Sequence, residues 1–330
     1  MRILALYLKE EIETRINGRK KLIERIPASD LQVCKALEEL GYFVEKMPYD
    51  SKKGLKLNKS YDLIFNLCDG LENDPEFIEF KVLKDIEKTG IPFTGNKLKA
   101  VMLCNDKRKI KKVLVRNGIL TPRYQVFTST KQMLSTFLKF PLMVKPACAD
   151  GAVGIYADSV AHNEDSLKKN IKRIIEYHEQ PALVEEYIDG RDLITPVIGK
   201  SELTVLNPAE TRYLRSYKHR PKILSHSAKW DSGKPIYKDC ITLVKNAEKR
   251  FTGQELKSIK STAARVYKAM GCDGYATVDA RLDKNGNLYI IEINPNCWIG
   301  KNSDTALAFK ADGLDYNMLI ARIIKTAMNK

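Results

Sequence analysis

No apolar run in this chain of 330 residues approaches the roughly 18 residues that a membrane helix needs, so no span is expected. The opening segment, Met1-Arg2-Ile3-Leu4-Ala5-Leu6-Tyr7-Leu8, is too short for a signal h-region. It lacks a small-residue cleavage site and soon meets Lys9-Glu10-Glu11, so the cytoplasm is the expected compartment. The seven cysteines form no C-x-x-C pair and their number is odd, which argues for reduced thiols rather than a disulfide framework. Only four histidines occur (162, 178, 219 and 226), with no H-E-x-x-H spacing, so any metal is expected on oxygen ligands. Internal repeats and low-complexity linkers are also missing.

Positive charge is what the chain has in excess. Lys plus Arg number 56 against 41 for Asp plus Glu, a net charge of +15 and a pI near 9.3. Such a surface attracts polyanions or simply keeps a lysine-rich protein in solution. The lysines are spread out and no RNP, zinc-finger or basic-zipper pattern accompanies them, so nucleic acid is not the expected partner. Domains run at roughly 100–200 residues, so two or three are expected.

The first hundred residues alternate strand and helix. Strands are read at Ile3–Leu8, Phe43–Met47 and Asp62–Cys68. One helix is capped by Ser29 or Asp30, with Leu31, Cys34, Leu37 and Leu40 as its apolar face, and another runs over Phe77–Lys88. This predicts a small doubly wound α/β unit over 1–95. A second unit, 96–190, carries a helix from Asp106 to Arg116, strands Tyr124–Phe127, Leu142–Pro146 and Ala182–Tyr187, a helix near Ser129–Lys139 and an amphipathic stretch Glu164–Tyr177. A third, 191–330, is strand-rich, with helices Gln254–Met270 and Tyr316–Met328. Its strands Tyr275–Arg281 and Leu288–Ile293 are joined by Lys284-Asn285-Gly286-Asn287, a hairpin signal.

That hairpin carries the most chemistry. Glu292 and Asn294 are two apart and share a face, and the turn brings Asp279 opposite them. Two carboxylates and an amide oxygen suit a hard cation such as Mg²⁺, whereas the bland alternative is a solvated polar face. Lys145 stands in the apolar stretch Phe140-Pro141-Leu142-Met143-Val144-Lys145-Pro146, where an ammonium needs an anion. The loop Asp150-Gly151-Ala152-Val153-Gly154 has the glycines that let backbone N–H groups approach phosphate. Glu185-Glu186 at a strand end suit the amine of a purine and the hydroxyls of a ribose, or simply close the strand.

In this order Lys107, Lys145, the 150–154 loop, Glu185-Glu186-Tyr187-Ile188, Asp192, Asp279 and Glu292-x-Asn294 resemble the ATP-grasp ligases, and most closely their D-alanine–D-alanine ligase branch. The resemblance covers nearly the whole chain. It implies an α/β ATP-grasp fold, in which an N-terminal doubly wound domain precedes two α+β subdomains clamping ATP. By it, Lys107 and Lys145 would hold the α- and β-phosphates, and Gly151, Ala152, Val153, Gly154 and Ile155 would form the flap. Glu185, Glu186, Tyr187 and Ile188 would line the nucleoside, with Asp192 on the ribose. Lys229, in His226-Ser227-Ala228-Lys229-Trp230, would reach the γ-phosphate. Asp279, Glu292 and Asn294 would bind two Mg²⁺ ions, with Mn²⁺ as the alternative. Glu24 resembles the family's amine-binding glutamate, although a surface ion pair suits it nearly as well. Ser303 would contact a substrate carboxylate.

Two departures stand out. Thr277 occupies the position of the D-alanine enzymes' arginine. Arg281, two residues beyond Asp279, is then the cation expected to meet the acyl phosphate or oxyanion, unless it pairs with a neighbouring acid. Pro295-Asn296-Cys297-Trp298-Ile299-Gly300 replaces the family's Pro-Gly-Met-Thr beside the second substrate, which argues against assuming D-alanine there. Cys297 has no histidine near it in sequence and reads as a pocket wall. The expected activity is ATP-dependent carboxylate–amine ligation of small amino-acid or peptide substrates through an acyl phosphate, with ADP and phosphate released. The alternatives are a ligase that modifies a macromolecule and a nucleotide-binding regulator without turnover. By analogy with relatives of this type, a homodimer is expected.

Overall fold

The computed structural model describes residues 1–16, 19–57, 60–69 and 78–329, with the backbone alone for 10–25. In chain order the first elements are β1 (Arg2–Tyr7), β2 (Glu10–Ile16), β3 (Arg19–Arg25), α1 (Ala28–Glu39), β4 (Phe43–Pro48), β5 (Leu63–Asn66) and α2 (Ile78–Thr89). β1 lies between β4 and β5, parallel to both. Strand alternation divides its side chains: Ile3 and Ala5 pack with Val33 and Leu37 of α1, Leu4 and Leu6 with Val82 and Ile86 of α2. The sheet is therefore covered on both faces, as a doubly wound unit requires.

Some details differ from the sequence reading. α1 starts at Ala28 with Pro27 at its N-cap, and it buries Val33, Cys34, Ala36 and Leu37. Leu31, expected on the apolar face, is 46% exposed, because the buried stripe is centred on Val33 and Leu37 and Leu31 falls on the other side of the helix. β2 and β3 pair with each other as an antiparallel hairpin that the reading had not identified.

The next elements are α3 (Leu98–Cys104), α4 (Lys107–Arg116), β6 (Tyr124–Phe127), β7 (Leu142–Pro146), β8 (Val160–Ala161), α5 (Glu164–Lys172) and β9 (Ala182–Glu186). Their four strands form an antiparallel sheet in the order β6-β9-β7-β8. Asp106 caps α4 by accepting from the Arg108 N–H. The helix expected near Ser129–Lys139 is absent; that stretch is turn and coil. Gln132 Oε1 accepts from the Thr128 and Ser129 N–H groups there, so a side chain answers backbone donors that a helix would have to satisfy.

The last third holds β10 (Gly190–Ile198), β11 (Thr204–Val205), β12 (Ala209–Tyr213), α6 (His226–Trp230), α7 (Pro235–Lys238), β13 (Cys240–Leu243), α8 (Ala247–Arg250), α9 (Gly253–Ala269), β14 (Tyr275–Asp283), β15 (Leu288–Asn294), α10 (Asp304–Ala311) and α11 (Tyr316–Met328). The strands form an antiparallel sheet, β13-β12-β10-β14-β15, with β11 paired to β10. Ile259, Ala263 and Val266 of α9 pack against Val278 and Ile290 of that sheet. By contrast, Leu319, Ile320, Ile323 and Ile324 of α11 join the core of the first sheet, beside Ile3 and Leu37.

One buried asparagine ties the middle of the chain to the last sheet. Asn96 Nδ2 donates to Tyr275 O at 2.7 Å and Pro295 O at 2.6 Å. Its Oδ1 accepts from the Asp273 and Gly274 N–H groups at 2.7 and 2.9 Å.

Candidate active site

The β14–β15 register sets Asp279 opposite Glu292 and Thr277 opposite Asn294, with a bulge between Asp279 and Ala280. A bulge re-aims side chains next to it. Asp279 Oδ1 is sealed from solvent with no hydrogen-bond partner. Burial, and then the like charge of Glu292, push the Asp279 carboxyl well above its ordinary range. Glu292 moves the other way: burial would raise it, but Lys107 and Lys145 outweigh burial and hold it down. Lys107 Nζ lies 3.1 Å from Glu292 Oε2.

Asn294 Oδ1 accepts from the Asn296 N–H at 3.0 Å, and its Nδ2 approaches Asp150 Oδ2 at 3.5 Å. Among the described residues, no three His, Cys, Asp or Glu side chains gather about one point. A divalent cation still fits the hairpin, provided phosphate oxygens complete its shell. The fit rests on two facing carboxylates, one of them with an orphaned buried oxygen, and an amide oxygen with a lone pair to spare.

Lysines enter from two sides. Lys107 and Lys111 are four apart on α4, so both fall on its inner face. Lys107 also donates to Ala149 O. Lys111 has no exposed surface, and Lys145 on β7 is 3% exposed. Glu185 on β9 sits between them, Oε2 2.6 Å from Lys111 Nζ and Oε1 2.6 Å from Lys145 Nζ. Burial opposes its charge, yet the two ammonium groups hold the carboxyl down at about 2. Lys111 is drawn by burial to about 8, with Glu185 opposing. It also donates to Thr121 Oγ1 at 2.6 Å, whose hydroxyl donates to Ile290 O at 2.7 Å, so the network reaches β15. Glu185, expected on the nucleoside, lines the cleft and is paired there with both lysines.

At the other end of the cleft lie Tyr187, Ile188, Asp192 and Arg281. Asp192 and Arg281 are register partners across β10 and β14. Arg281 Nε is 2.6 Å from Asp192 Oδ1, Nη1 donates to Ile188 O at 2.7 Å, and Nη2 donates to Asp192 Oδ2 at 2.8 Å and to Lys222 O. Its guanidinium stands 5.1 Å from the Tyr187 ring centre. The Tyr213 hydroxyl donates to Asp192 as well. Pairing with a neighbouring acid, one of the two readings of Arg281, is thus what it does; every guanidinium nitrogen is occupied. Glu186 Oε1 accepts from the Lys139 N–H at 3.1 Å.

The 150–155 loop turns through left-handed backbone at Gly151, Ala152 and Gly154, with φ of 63°, 65° and 72°. A Cβ at Gly154 would fall 2.4 Å from Pro146 Cγ, so only glycine fits that close approach. The loop is joined to α6: the His226 N–H donates to Ile155 O at 3.0 Å, and Trp230 Nε1–H donates to Gly151 O at 2.7 Å. Lys229 extends from α6 into the cleft, which it lines together with Lys145, Asp150, Asp279 and Glu292.

Ser303 lies deep at the N-cap of α10, where its Oγ accepts from the Ala306 N–H at 3.1 Å. The Glu24 side chain lies outside the described residues. The Cys297 thiol is pushed by burial up to about 12 and sits 3.7 Å from Thr305 Oγ1, which leaves no thiolate for nucleophilic chemistry. The sequence reading missed Lys111 and Thr121. For Lys111, the spacing of four from Lys107 was the available signal.

The family model described as "D-ala D-ala ligase C-terminus" matches residues 113–325. A D-alanine–D-alanine ligase of Pelagibacter ubique is 28% identical over 306 residues, 90% of this chain and 91% of that protein. An uncharacterized protein of Sinorhizobium fredii is 27% identical over 306 residues, 89% of this chain and 86% of its own length. Among solved structures, the D-alanine–D-alanine ligase of Bacillus anthracis complexed with ATP superposes with a TM-score of 0.73 at 21% identity, covering 100% of this chain and 98% of that one. The VanG D-Ala:D-Ser ligase of Enterococcus faecalis gives 0.71 at 18% identity, covering 99% of both chains. These two likenesses carry the ATP-grasp fold. The family match spans well over half of the residues, so the chain belongs to the D-alanine–D-alanine ligase C-terminal family and is an ATP-dependent, ADP-forming ligase of C–N bonds.

Proposed function

We propose that the protein joins a small amino-acid or peptide carboxylate to an amine through an acyl phosphate, releasing ADP and phosphate. The observation that carries this reading is the pairing of Asp279 with Glu292 in a cleft that also receives Lys145 and Lys229. Phosphoryl transfer asks little covalent chemistry of a protein; it asks for alignment and charge neutralisation. Asp279, Glu292 and Asn294 would hold Mg²⁺, which when bound neutralises charge on the phosphates. Lys107, Lys145 and Lys229 would meet the phosphate oxygens, and the N–H groups of 151–155 would cover them. Tyr187, Ile188 and Asp192 would take the nucleoside, and Glu185 would fix the direction of Lys145 rather than touch the base.

An acyl phosphate survives only where water is kept out. The contacts of α6 with the 150–155 loop favour such a closed chamber. In this reading residues 1–95 and the 296–304 stretch frame the substrates, and 96–190 and 191–330 are the two jaws on ATP. ADP release across a panel of amino acids and dipeptides tests the proposal, with hydroxylamine added to trap an acyl phosphate as hydroxamate. Release with small carboxylate–amine pairs, together with hydroxamate, is expected. Release only with a macromolecule, or none with ATP bound, would refute it.

A further inference from the structure

Glu185 is where the cleft meets a lysine that the proposed mechanism leaves unused. Met143 of β7 is the register partner of Glu185, so Lys145 stands diagonally across from it on the same face of the sheet. Both side chains line the cleft. Lys111 is not among the cleft's walls and reaches Glu185 from the inner face of α4. Its ammonium is tethered there, donating to Thr121 Oγ1 at 2.6 Å. The tether is itself fixed to β15: the Thr121 hydroxyl donates to Ile290 O, and the Ile290 N–H donates to Leu120 O.

The charges of this group do not cancel. Lys111, Lys145 and Glu185 are all buried. Burial opposes the charge of Glu185, but the two ammonium groups hold its carboxyl at about 2, so it is ionised at neutral pH. Burial draws Lys111 down to about 8 against the pull of Glu185, which still leaves it mostly protonated at that pH. One carboxylate therefore faces two ammonium groups, each 2.6 Å from a different oxygen. Lys107, the next lysine, has an acid of its own in Glu292, at 3.1 Å. Out of water, a Glu185–Lys145 pair without Lys111 would be close to neutral and would hold the lysine on the acid. A phosphate would then compete with that carboxylate for the same ammonium. With Lys111 in place the acid is answered twice, and one positive charge is left over beside the cleft.

We propose that Lys111 is a positioning residue: it takes up half of Glu185, so that Lys145 keeps a net positive charge for the phosphates of ATP. Lys111 itself touches no substrate. The proposal rests on the reading that sets Lys145 against a phosphate.

The test measures Kd by calorimetry for ATP with Mg²⁺ and for adenosine, which has no phosphate. A charge effect strikes ATP alone, whereas a packing defect strikes both ligands. Lys111→Met keeps most of the side chain's length and deletes the ammonium. It is expected to weaken ATP binding by about tenfold or more and to leave adenosine within about twofold. Lys111→Met/Glu185→Gln removes the acid together with its second counter-ion, and should return ATP binding to within about threefold of wild type. Lys145→Met, the control for the underlying reading, should cost ATP affinity and spare adenosine. Equal losses for both ligands in Lys111→Met, no loss for either, or a double variant as weak as the single one overturns the role of Lys111. If Lys145→Met still loses ATP alone, the phosphate reading stands in each of those cases. If Lys145→Met binds ATP as the wild type does, the phosphate reading falls and the role of Lys111 with it. Should Lys111→Met not fold, the double variant decides. ATP affinity near wild type upholds the proposal, and affinity as low as that of Lys145→Met overturns it.

Discussion

Under the proposed function, Glu292 is a side chain whose loss should strike ATP chemistry directly, since it faces Asp279 and pairs with Lys107. Glu292→Ala is expected to cut ATP turnover by roughly 100-fold or more while leaving the melting temperature nearly unchanged. Steady-state kinetics beside thermal unfolding checks this, and activity within a few-fold of wild type would remove the assignment. Glu185 gives a pH signature. Its carboxyl is held at about 2, against 4.5 as the ordinary value. A depressed acid stabilises the fold above its unfolded pKa, and that contribution is lost as pH falls from about 4.5 towards 2. At 1.36 kcal/mol per unit it amounts to roughly 3 kcal/mol. Urea unfolding between pH 2 and 6 should show a steeper acid loss in the wild type than in Glu185→Gln. These residues were legible to different degrees. Asp279, Glu292 and Asn294 could be placed because a hairpin with period two fixes faces from sequence alone. Lys111 could not, because a lysine on a basic helix looks solvated until its buried partner, 74 residues away, is known.

Among the elements, α6 and the 150–155 loop act on each other through the Trp230 indole and the His226 N–H. Trp230→Phe keeps the ring and deletes the donor to Gly151. It should raise KM for ATP several-fold with a smaller change in kcat, and should speed proteolysis within 150–155. Unchanged KM and unchanged cleavage would show that this contact does not hold the loop. Gly154→Ala should do more, because its Cβ would collide with Pro146. Long periodic segments were readable, α11 to the residue and α9 to within one at each end. Short elements at the site were not: α6, with five residues, carries too little periodicity to register, and Ser129–Lys139 looked helical because its local side-chain hydrogen bonds leave no trace in hydropathy. The β2–β3 hairpin had the Asn17-Gly18 pair in the sequence as its signal, and it was passed over.

At the scale of the molecule, Asn96 carries the connection between the middle of the chain and the last sheet through four hydrogen bonds. Asn96→Ala leaves buried backbone groups unanswered on two segments. At about 1 kcal/mol for each lost bond, it should cost roughly 4 kcal/mol, measured by urea unfolding. A loss under about 1 kcal/mol would show that water replaces the side chain. No sequence pattern announces such a residue, since its partners are all main-chain atoms. The packing of α11 onto the first sheet has a consequence of its own. While the chain is being made, residues 2–66 leave the ribosome early, yet the greasy side of their sheet is completed only by residues 316–328. The earliest strands therefore wait for nearly the whole of translation before that side is covered, and in the interval they are the surface on which a chaperone would act.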